Sequence, residues 1–547
     1  KIYLRVIKLL EKFPVGFKPT KQQVYLLEEI DKAFESGCKV VVVNAPTGSG
    51  KSMISKSVGN VSNTASDEFR DLVYSYAAYK QVAGGFENAE KIESMDRFGA
   101  FALTITKTLQ DQYANLFKDT RVLKGKSNYI CKVDDRFTVD CAPCLTVKSL
   151  KESCQCKNIC PYYNARNDAL AAQFSTLNYS MFFGLPEHLR HRQFLICDEA
   201  SELEDVIVKQ FSCAISFDYL KKNGIKPIAF PERYDKIPAW LSYLSTAVRD
   251  KVEEKTNEIR NIRTKTAKIL SDKRSELNVM QGLHGSIQEL ISNWSQTEFV
   301  YETIKNTLTF VPVYVDKLAT NLFKYADKII LLSATIIDPK NFCKSLGIEN
   351  FKYIEVDSEF DPVNAPIHVQ TKVKLNYKNL ATQLPTICKQ VAEICNHHRQ
   401  DKGIIHTHTM AITKVLQTKL NSPRMLYREQ GVKNEDILEQ HTQATTPTVL
   451  ISPSMSFGVD LKDDLARFQV IVKAPFLPLT DKRVKKLADK DYNWYINKML
   501  CSLIQSCGRG VRSGDDHCVT YILDGIIVDK VLENKHKLPK YFLKRFC

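Results

Sequence analysis

Buried parallel strands are the first feature that the hydrophobic pattern predicts. Four consecutive valines stand at 40–43, and apolar runs of similar length occupy 194–197 and 328–332. Uninterrupted runs of this kind are typical of strands that helices cover on both faces. Each run ends in small, polar or acidic residues, which is where an open α/β sheet binds its ligand. The pattern therefore predicts an α/β protein with a ligand site at the carboxyl ends of these strands.

The pattern changes twice along the chain. A helix is predicted over 22–34, before the first strand. Between about residues 202 and 318, and above all over 251–293, Lys, Glu, Ile and Leu dominate and Gly and Pro are scarce. This composition predicts a helical insertion made of long amphipathic helices. A second α/β unit is predicted after about residue 350, with strands at 403–406, 448–451 and 469–472.

Length and charge narrow the class of protein. The 547 residues can bury several cores and should form three or four domains. Lys and Arg exceed Asp and Glu by 77 to 62, a net charge of +15 that favours a polyanionic partner, although a solvated surface explains it almost as well. No apolar run is long enough to cross a membrane and no export signal is evident, so we expect an intracellular protein that is not secreted.

The segment APTGSGKS at 45–52 has most of the pattern of a phosphate-binding loop. It follows a predicted strand and precedes a predicted helix, which is the context that such a loop requires. A Gly-rich turn is the alternative, and Ala45 replaces the usual first Gly, but the intact Gly-Lys-Ser favours the loop. Lys51 would reach the β and γ phosphates, and Ser52 would bind Mg²⁺. The predicted ATP-binding residues of this segment are Pro46, Thr47, Gly48, Ser49, Gly50, Lys51 and Ser52.

An acidic pair supplies the second part of this predicted site. Asp198 and Glu199 directly follow the apolar run 194–197. Such a pair is often a helix cap with a first-turn acid. Beside a phosphate loop, however, Asp198 is expected to hold Mg²⁺ and Glu199 to act on the attacking water.

From this point the chain resembles the XPD and DinG type of superfamily-two helicases, in the same motif order along most of its length. Asp198 to Ser201 resembles the DEAH box, with Ser201 where His is usual. The segment 333–335 resembles the motif that links hydrolysis to unwinding, and 402–407 resembles the start of the second motor domain. Gly458 and Asp460 fall in the next motif.

The segment QSCGRGVR at 505–512 carries the most specific resemblance, because it fits the family's Gln-x-x-Gly-Arg-x-x-Arg. The resemblance implies that Gln505 belongs to the nucleotide site and that Arg509 and Arg512 reach the γ-phosphate from the opposing domain. Fixed guanidinium groups stabilise the charge of the phosphoryl-transfer transition state. Near the N-terminus, either Gln22 or Gln23 could match the family's adenine-reading glutamine, and helix-start chemistry explains that segment nearly as well.

Six of the sixteen cysteines lie between residues 131 and 160. Four thiolates could hold either zinc or an iron–sulfur cluster, and spacing alone does not separate the two. The resemblance implies a [4Fe–4S] cluster, for which we select Cys131, Cys144, Cys156 and Cys160. Cys141 with Cys144 is an alternative pair, and Cys154 could replace Cys156. Tyr129, Tyr162 and Tyr163 are candidates for stacking on nucleic-acid bases.

The resemblance implies two RecA-like motor domains, with an iron–sulfur insertion and a helical arch in the first. It implies an ATP- and Mg²⁺-dependent DNA helicase that moves 5′ to 3′ on single-stranded DNA. The alternatives are a nucleic-acid-stimulated ATPase that remodels protein–DNA complexes without separating strands, and a degenerate nucleic-acid clamp. We expect a monomer that binds single-stranded and forked DNA, does not bind membranes and could use a loading partner. The predicted boundaries are 1–106, 171–205 and 319–345 for motor domain 1, 107–170 for the iron–sulfur domain, 206–318 for the arch and 346–547 for motor domain 2.

Overall fold

The protein is described by a computed structural model with several gaps. The described residues are 9–74, 87–145, 149–150, 153–154, 158–226, 229–262, 267–376, 378–420, 422–427, 434–453, 461, 463–508, 510–511 and 516–547. None of the helices in these ranges is long and apolar enough to cross a bilayer.

Strands and helices alternate through most of the described chain. The strands are β1 (Val40–Asn44), β2 (Ala100–Thr104), β3 (Arg121–Leu123), β4 (Phe174–Asn178), β5 (Arg192–Cys197), β6 (Cys213–Ser216), β7 (Phe299–Ile304), β8 (Thr307–Pro312), β9 (Ala326–Ser333), β10 (Lys352–Glu355), β11 (Ile367–Val373), β12 (Gly403–His406), β13 (Met425–Tyr427), β14 (Val449–Ser452), β15 (Phe468–Ile471) and β16 (Val519–Asp524). The helices are α1 (Lys21–Glu35), α2 (Lys51–Val61), α3 (Asp67–Tyr74), α4 (Glu87–Ser94), α5 (Lys107–Leu116), α6 (Pro161–Ala171), α7 (Tyr179–Gly184), α8 (Leu203–Phe211), α9 (Phe217–Lys222), α10 (Ile237–Asn261), α11 (Ala267–Asn293), α12 (Asp316–Phe323), α13 (Pro339–Ser345), α14 (Leu380–His397), α15 (Met410–Lys419), α16 (Asn434–Gln443), α17 (Lys482–Lys490), α18 (Tyr492–Cys507), α19 (Gly525–Glu533) and α20 (Lys540–Leu543).

Two large sheets organise these elements. The first has the order β10-β1-β9-β5-β2-β4-β3, and the second has the order β11-β16-β15-β12-β14-β13. Pairing is parallel between β5 and β9, between β2 and its two neighbours, and through the whole second sheet. The central strands are buried along their full length because helices cover both faces. The predicted α/β class with parallel sheets is confirmed.

Contacts divide the chain into two compact units. The first comprises Lys1–Val42, Ser52–Leu332 and Cys343–Ile354, and the second comprises Val43–Lys51, Ser333–Phe342 and Glu355–Cys547. The phosphate loop and the residues after β9 are thus grouped with the C-terminal part of the chain.

The long insertion contains more than the helices that its composition predicted. Helices α10 and α11 pack on each other, and α11 also packs on β6. An antiparallel sheet of order β6-β8-β7 completes this substructure. Trp240, Leu244, Ile287 and Phe310 lie in its core. The sheet was missed although β8 alternates half-buried and buried side chains, the pattern of a strand that is covered on one face.

Candidate functional site

The predicted phosphate loop is a tight turn between β1 and α2. Gly48 and Gly50 have φ angles of +83° and +75°, in the left-handed region that glycine enters without steric cost. Lys51 is the first residue of α2, and its Nζ lies 3.4 Å from the carbonyl oxygen of Ala45. The N–H of Ala45 donates to the carbonyl of Ser333 at 2.8 Å, which ties the loop to the end of β9. The loop therefore has the form that phosphate binding requires.

Asn44, at the end of β1, fixes the chain after β9. Its Oδ1 accepts the N–H of Ile336 at 3.2 Å, and its Nδ2 donates to the carbonyl of the same residue at 3.3 Å. The hydroxyl of Thr335 lies 3.3 Å from Nε2 of Gln505, and Cys501 Sγ donates to the carbonyl of Thr335. The predicted motif residue Gln505 is thus joined to the segment 333–335 within the second unit. Asn44 was not singled out from the sequence, although its place directly before the loop could have marked it.

Asp198 and Glu199 form a sharp corner after β5. The Asp198 side chain is buried, and its Oδ1 accepts the N–H of Glu199 at 3.0 Å. Glu199 has a φ of +51°, a left-handed conformation that is uncommon for a residue with a side chain and that often marks functional sites. The next residues, including Ser201, form a short 3₁₀ turn. β5 and β9 run parallel, so this corner lies at the same sheet edge as the end of β9.

Two buried tyrosines contact Asp198, one at its carboxylate and one at its main-chain oxygen. The hydroxyl of Tyr113 lies 3.0 Å from Ser55 Oγ and 3.3 Å from Asp198 Oδ2. The hydroxyl of Tyr179 donates to the main-chain oxygen of Asp198 at 3.1 Å. Burial, followed by the charge of Asp198, raises the pKa of Tyr113 well above its ordinary value, and burial also raises the pKa of Tyr179. Both phenols are therefore hydrogen-bond donors at neutral pH.

We call Ser52, Ser55, Tyr113 and Asp198 the carboxylate site. Its donor atoms are a carboxylate and hydroxyl oxygens, which are the ligands that Mg²⁺ prefers. The carboxylate is buried and is held by donors on both oxygens. The chemistry of these residues fits a magnesium ion held by Asp198 and Ser52.

The two candidate adenine-reading glutamines differ in their surroundings. Gln23 is buried at the third position of α1, where its Oε1 accepts the N–H of Thr20 at 3.0 Å and its own N–H donates to the Thr20 hydroxyl. This reciprocal capping box engages the Gln23 side chain in starting the helix. Gln22 is half-buried and lies outside the capping box.

Four cysteines line one pocket, which we call the cysteine pocket. They are Cys131, Cys144, Cys154 and Cys160. Cys141 is half-buried outside this lining, and burial raises the pKa of its thiol. Within the described part of the chain, no group of three or more His, Cys, Asp or Glu side chains is arranged to hold a metal ion. Four thiols facing one volume nevertheless have the donor chemistry that an iron–sulfur cluster needs.

Several short elements contribute cysteines to the pocket. Cys131 follows a β-bridge between Ile130 and Thr138, and its N–H donates to the carbonyl of Phe137 at 2.9 Å. Cys144 lies in the short 3₁₀ turn Pro143–Leu145, and Cys160 is the N-cap of α6. The pocket therefore brings together residues from separate parts of the window 131–160.

Helix α11 of the insertion packs directly on the cysteine window. Arg274 is buried, and its Nη1 donates to the carbonyl of Cys141 at 3.2 Å while the guanidinium lies 5.1 Å from the ring centre of Phe137. Asn278 donates to the carbonyl of Asp140. Burial lowers the pKa of Arg274, and Cys144 and Asp134 oppose that change. A cationic residue of the long helix thus lies against the segment that supplies the thiols.

The three tyrosines proposed for base stacking pack on one another. The rings of Tyr129 and Tyr162 are 5.8 Å apart, and those of Tyr162 and Tyr163 are 5.2 Å apart, both edge to face. Tyr162 is buried in this group, whereas Tyr129 and Tyr163 are half-buried. Only the latter two have ring surface that a base could reach.

Several predicted site residues lie outside the described residues, and their predictions stay untested. They are Arg509 and Arg512, Gly458 and Asp460, and Cys156.

Comparisons with known protein families match two separate segments. The DEAD_2 family matches residues 118–220, and the family described as helicase C-terminal domain matches residues 396–544. No curated protein sequence matches the chain significantly.

Solved structures with the same fold cover nearly the whole chain. A structure titled XPD helicase has a TM-score of 0.62 at 18% identity, covering 98% of this chain and 100% of that chain. One titled XPD apo has a TM-score of 0.58 at 17% identity, covering 94% and 98%. S. tokodaii Xpd4 has a TM-score of 0.55 at 14% identity, covering 94% and 97%. At these identities the similarity shows a shared fold.

Proposed function

We propose that this chain is an XPD/DinG-like superfamily-two helicase, which hydrolyses ATP with Mg²⁺ to move 5′ to 3′ along single-stranded DNA and to unwind duplex DNA. The observation that carries the proposal is the formed phosphate loop, with two glycines in left-handed conformations ahead of Lys51. Helicase family domains matching both halves of the chain support an ATP-driven motor.

The proposed chemistry assigns one task to each residue. The loop N–H groups and Lys51 bind the β and γ phosphates, and Ser52 and Asp198 hold the metal. Bound Mg²⁺ neutralises charge on the transferring phosphate. Glu199 takes the proton of the attacking water as the bond from water oxygen to γ-phosphorus forms and the bond to the ADP oxygen breaks. The strained corner at Glu199 supports a functional role for that carboxylate.

Further residues are proposed to contact the adenine base and the γ-phosphate. Gln22 is the better candidate for reading adenine, because the side chain of Gln23 is engaged in the capping box. Gln505, Gly458 and Asp460 are proposed to belong to the nucleotide site. Arg509 and Arg512 are proposed to stabilise the negative charge that develops on the γ-phosphate.

A [4Fe–4S] cluster is proposed for the cysteine pocket. Cys131, Cys144 and Cys160 would be three of its ligands, and the fourth would be either Cys156, as predicted, or Cys154, which lines the pocket. Bound there, the cluster would cross-link the separate segments that carry these cysteines. The proposed substrates are single-stranded and forked DNA, and the protein is proposed to act as a monomer, with or without a loading partner.

Strand displacement tests the proposal and separates it from its alternatives. We expect ATPase activity that single-stranded DNA stimulates, and displacement of a duplex with a 5′ tail but not of one with a 3′ tail. Hydrolysis without displacement would favour the protein-remodelling ATPase, and nucleic-acid binding without hydrolysis would favour the clamp.

The phosphate loop is tested separately by Lys51→Ala, which should abolish hydrolysis and leave the folded fraction unchanged, because Lys51 is half-buried at the loop. Lys39→Ala removes an exposed lysine beside the same strand and serves as the matched control. Equal rates for the two variants would overturn the loop assignment.

A further inference from the structure

The Tyr113 hydroxyl is the feature of the carboxylate site that no helicase motif in the sequence accounts for. Tyr113 lies on α5, and its side chain is 1% exposed. Its hydroxyl is within hydrogen-bond distance of Ser55 Oγ, one turn into α2, and of Asp198 Oδ2 at the end of β5. It also interacts with the hydroxyl of Ser52. One phenol thus joins the helix after the phosphate loop to the carboxylate proposed to hold the metal.

The direction of these hydrogen bonds follows from counting protons. An ionised carboxylate only accepts, so the single phenolic proton of Tyr113 goes to Asp198. The phenolic oxygen also lies 3.0 Å from Ser55 Oγ. The other oxygen of Asp198 accepts the N–H of Glu199. Donors thus reach both oxygens of the carboxylate, which restricts its rotation.

Packing holds Tyr113 in place independently of any nucleotide. Helix α5 begins at the Thr106 cap, whose hydroxyl accepts the N–H of Leu109. Just after this helix, Asp119 pairs with Lys56 of α2 at 2.6 Å, and the Lys56 side chain is only 5% exposed. The same ammonium group lies 5.1 Å from the ring centre of Phe174. Helix α2 is therefore joined to Tyr113 through Ser55 and to the segment just after α5 through Lys56. These two contacts hold the phenol beside the carboxylate.

We propose that Tyr113 is a positioning residue that orients Asp198 and Ser52 for the magnesium ion of the ATP site. The proposal rests on the proposed function and adds to it a residue from outside the motifs named above. Without the hydroxyl, the carboxylate loses the donor that faces its Oδ2, and the contact between α5 and Ser55 of α2 is lost. A hydrogen bond to a charged group is worth about 1.5–3 kcal/mol, so the Mg²⁺ concentration for half-saturation should rise by about tenfold or more.

Tyr113→Phe tests the proposal by nucleotide binding without turnover. The probe is a fluorescent, non-hydrolysable ATP analogue, titrated against Mg²⁺ and against EDTA. We expect affinity in EDTA to match the wild type, and the Mg²⁺-dependent gain in affinity to move to about tenfold higher Mg²⁺. ATPase rates should show the same displacement along the Mg²⁺ axis, with kcat largely restored at saturating Mg²⁺.

Two further variants separate positioning from simple stability. Tyr427→Phe removes a phenol that donates to the carbonyls of Leu416 and Leu420 in the other unit, so it should cost stability without moving the Mg²⁺ curve. Ser55→Ala removes the hydroxyl that contacts the Tyr113 phenol from α2 and should move the curve in the same direction by a smaller factor. It also provides the test if Tyr113→Phe fails to fold.

The outcomes distinguish this inference from the proposed function. A wild-type protein that shows no Mg²⁺-dependent nucleotide binding would overturn the proposed function. A wild type that binds and hydrolyses ATP, with the Tyr113 and Ser55 variants following the wild-type Mg²⁺ curve, would overturn the role of Tyr113 alone. Displacement of the curve by both variants, but not by Tyr427→Phe, would establish it.

Discussion

The carboxylate site and the cysteine pocket belong to the same unit but are held in different ways. Asp198, Ser52 and Tyr113 lie at the end of a buried strand and on two packed helices, and hydrogen bonds join their side chains. The cysteine pocket lies beside a β-bridge at Ile130, in a short 3₁₀ turn at Cys144 and at the start of α6. The first site is therefore shaped by a strand and two helices, whereas the second is shaped by the ends of several short elements. We expect the second site to depend more on the group that its thiols are proposed to bind.

The largest expected effect is the loss of iron when a cysteine of the pocket is replaced. Cys131→Ser should reduce iron content and visible absorbance to near background, because the hydroxyl is a poor replacement for a thiolate. Nucleotide binding should persist, since the carboxylate site does not need the pocket. Iron is measured by metal analysis of protein prepared without oxygen, and binding by the fluorescent analogue.

The matched control is Cys141→Ser, which changes a cysteine of the same window that lies outside the pocket lining. It should retain iron. Comparing Cys154→Ser with Cys156→Ser then identifies the fourth ligand. Iron retained by Cys131→Ser, or a protein that carries zinc, would contradict the proposed cluster.

The next effect tests the packing of the motor sheet. A Cβ at Gly59 of α2 would lie 2.3 Å from Cδ2 of Phe174 on β4. Gly59→Ala should therefore lower the free energy of unfolding by about 1–3 kcal/mol, as overpacking does. Urea denaturation measures the change, and iron content per folded molecule should not alter.

Gly282→Ala is the control for helix propensity, because it lies in α11 with no atom within 4 Å of the added Cβ. It should be neutral or stabilising by up to about 1 kcal/mol. Equal destabilisation by both substitutions would show that contact with Phe174 does not limit this packing.

The smallest effect concerns the contact between α11 and the cysteine window. Arg274→Met removes the hydrogen bond to Cys141 and the contact with Phe137, at a cost of about 1 kcal/mol. We expect a few-fold faster loss of iron to a chelator, with the Mg²⁺ curve for nucleotide binding unchanged. Arg249→Met, on an exposed arginine of α10, should release iron at the wild-type rate.

A feature could be predicted from the sequence when local chemistry determines it, and not when tertiary packing does. The apolar runs identified β1, β5, β9, β12, β14 and β15 to within two residues at each end, because a strand buried on both faces has a composition of its own. The turn at 45–52 was also predictable, because Gly48 and Gly50 have left-handed φ angles that glycine adopts without steric cost. Its role in phosphate binding stays a prediction. Features fixed by short-range chemistry were therefore predictable.

Features that depend on tertiary packing could not be predicted from the sequence. Nothing local marks Tyr113, whose partners are 58 and 85 residues away. The choice between Cys154 and Cys156 could not be made from spacing, and Cys154 proved to line the pocket with three other thiols. The antiparallel sheet of the insertion was missed because long helices dominate the composition around it. The predicted arginine contacts stay predictions, as Arg509 and Arg512 lie outside the described residues.

The backbone at Glu199 has a consequence for how this chain can diverge. Its left-handed conformation costs about 1–2 kcal/mol for a residue with a side chain, and glycine would avoid that cost. Selection for stability alone would therefore favour glycine at this position, and the proposed role of Glu199 in hydrolysis would oppose that change. Among descendants of this chain, proteins that hydrolyse ATP should keep glutamate at position 199. Proteins that keep the fold but have lost hydrolysis should have replaced it.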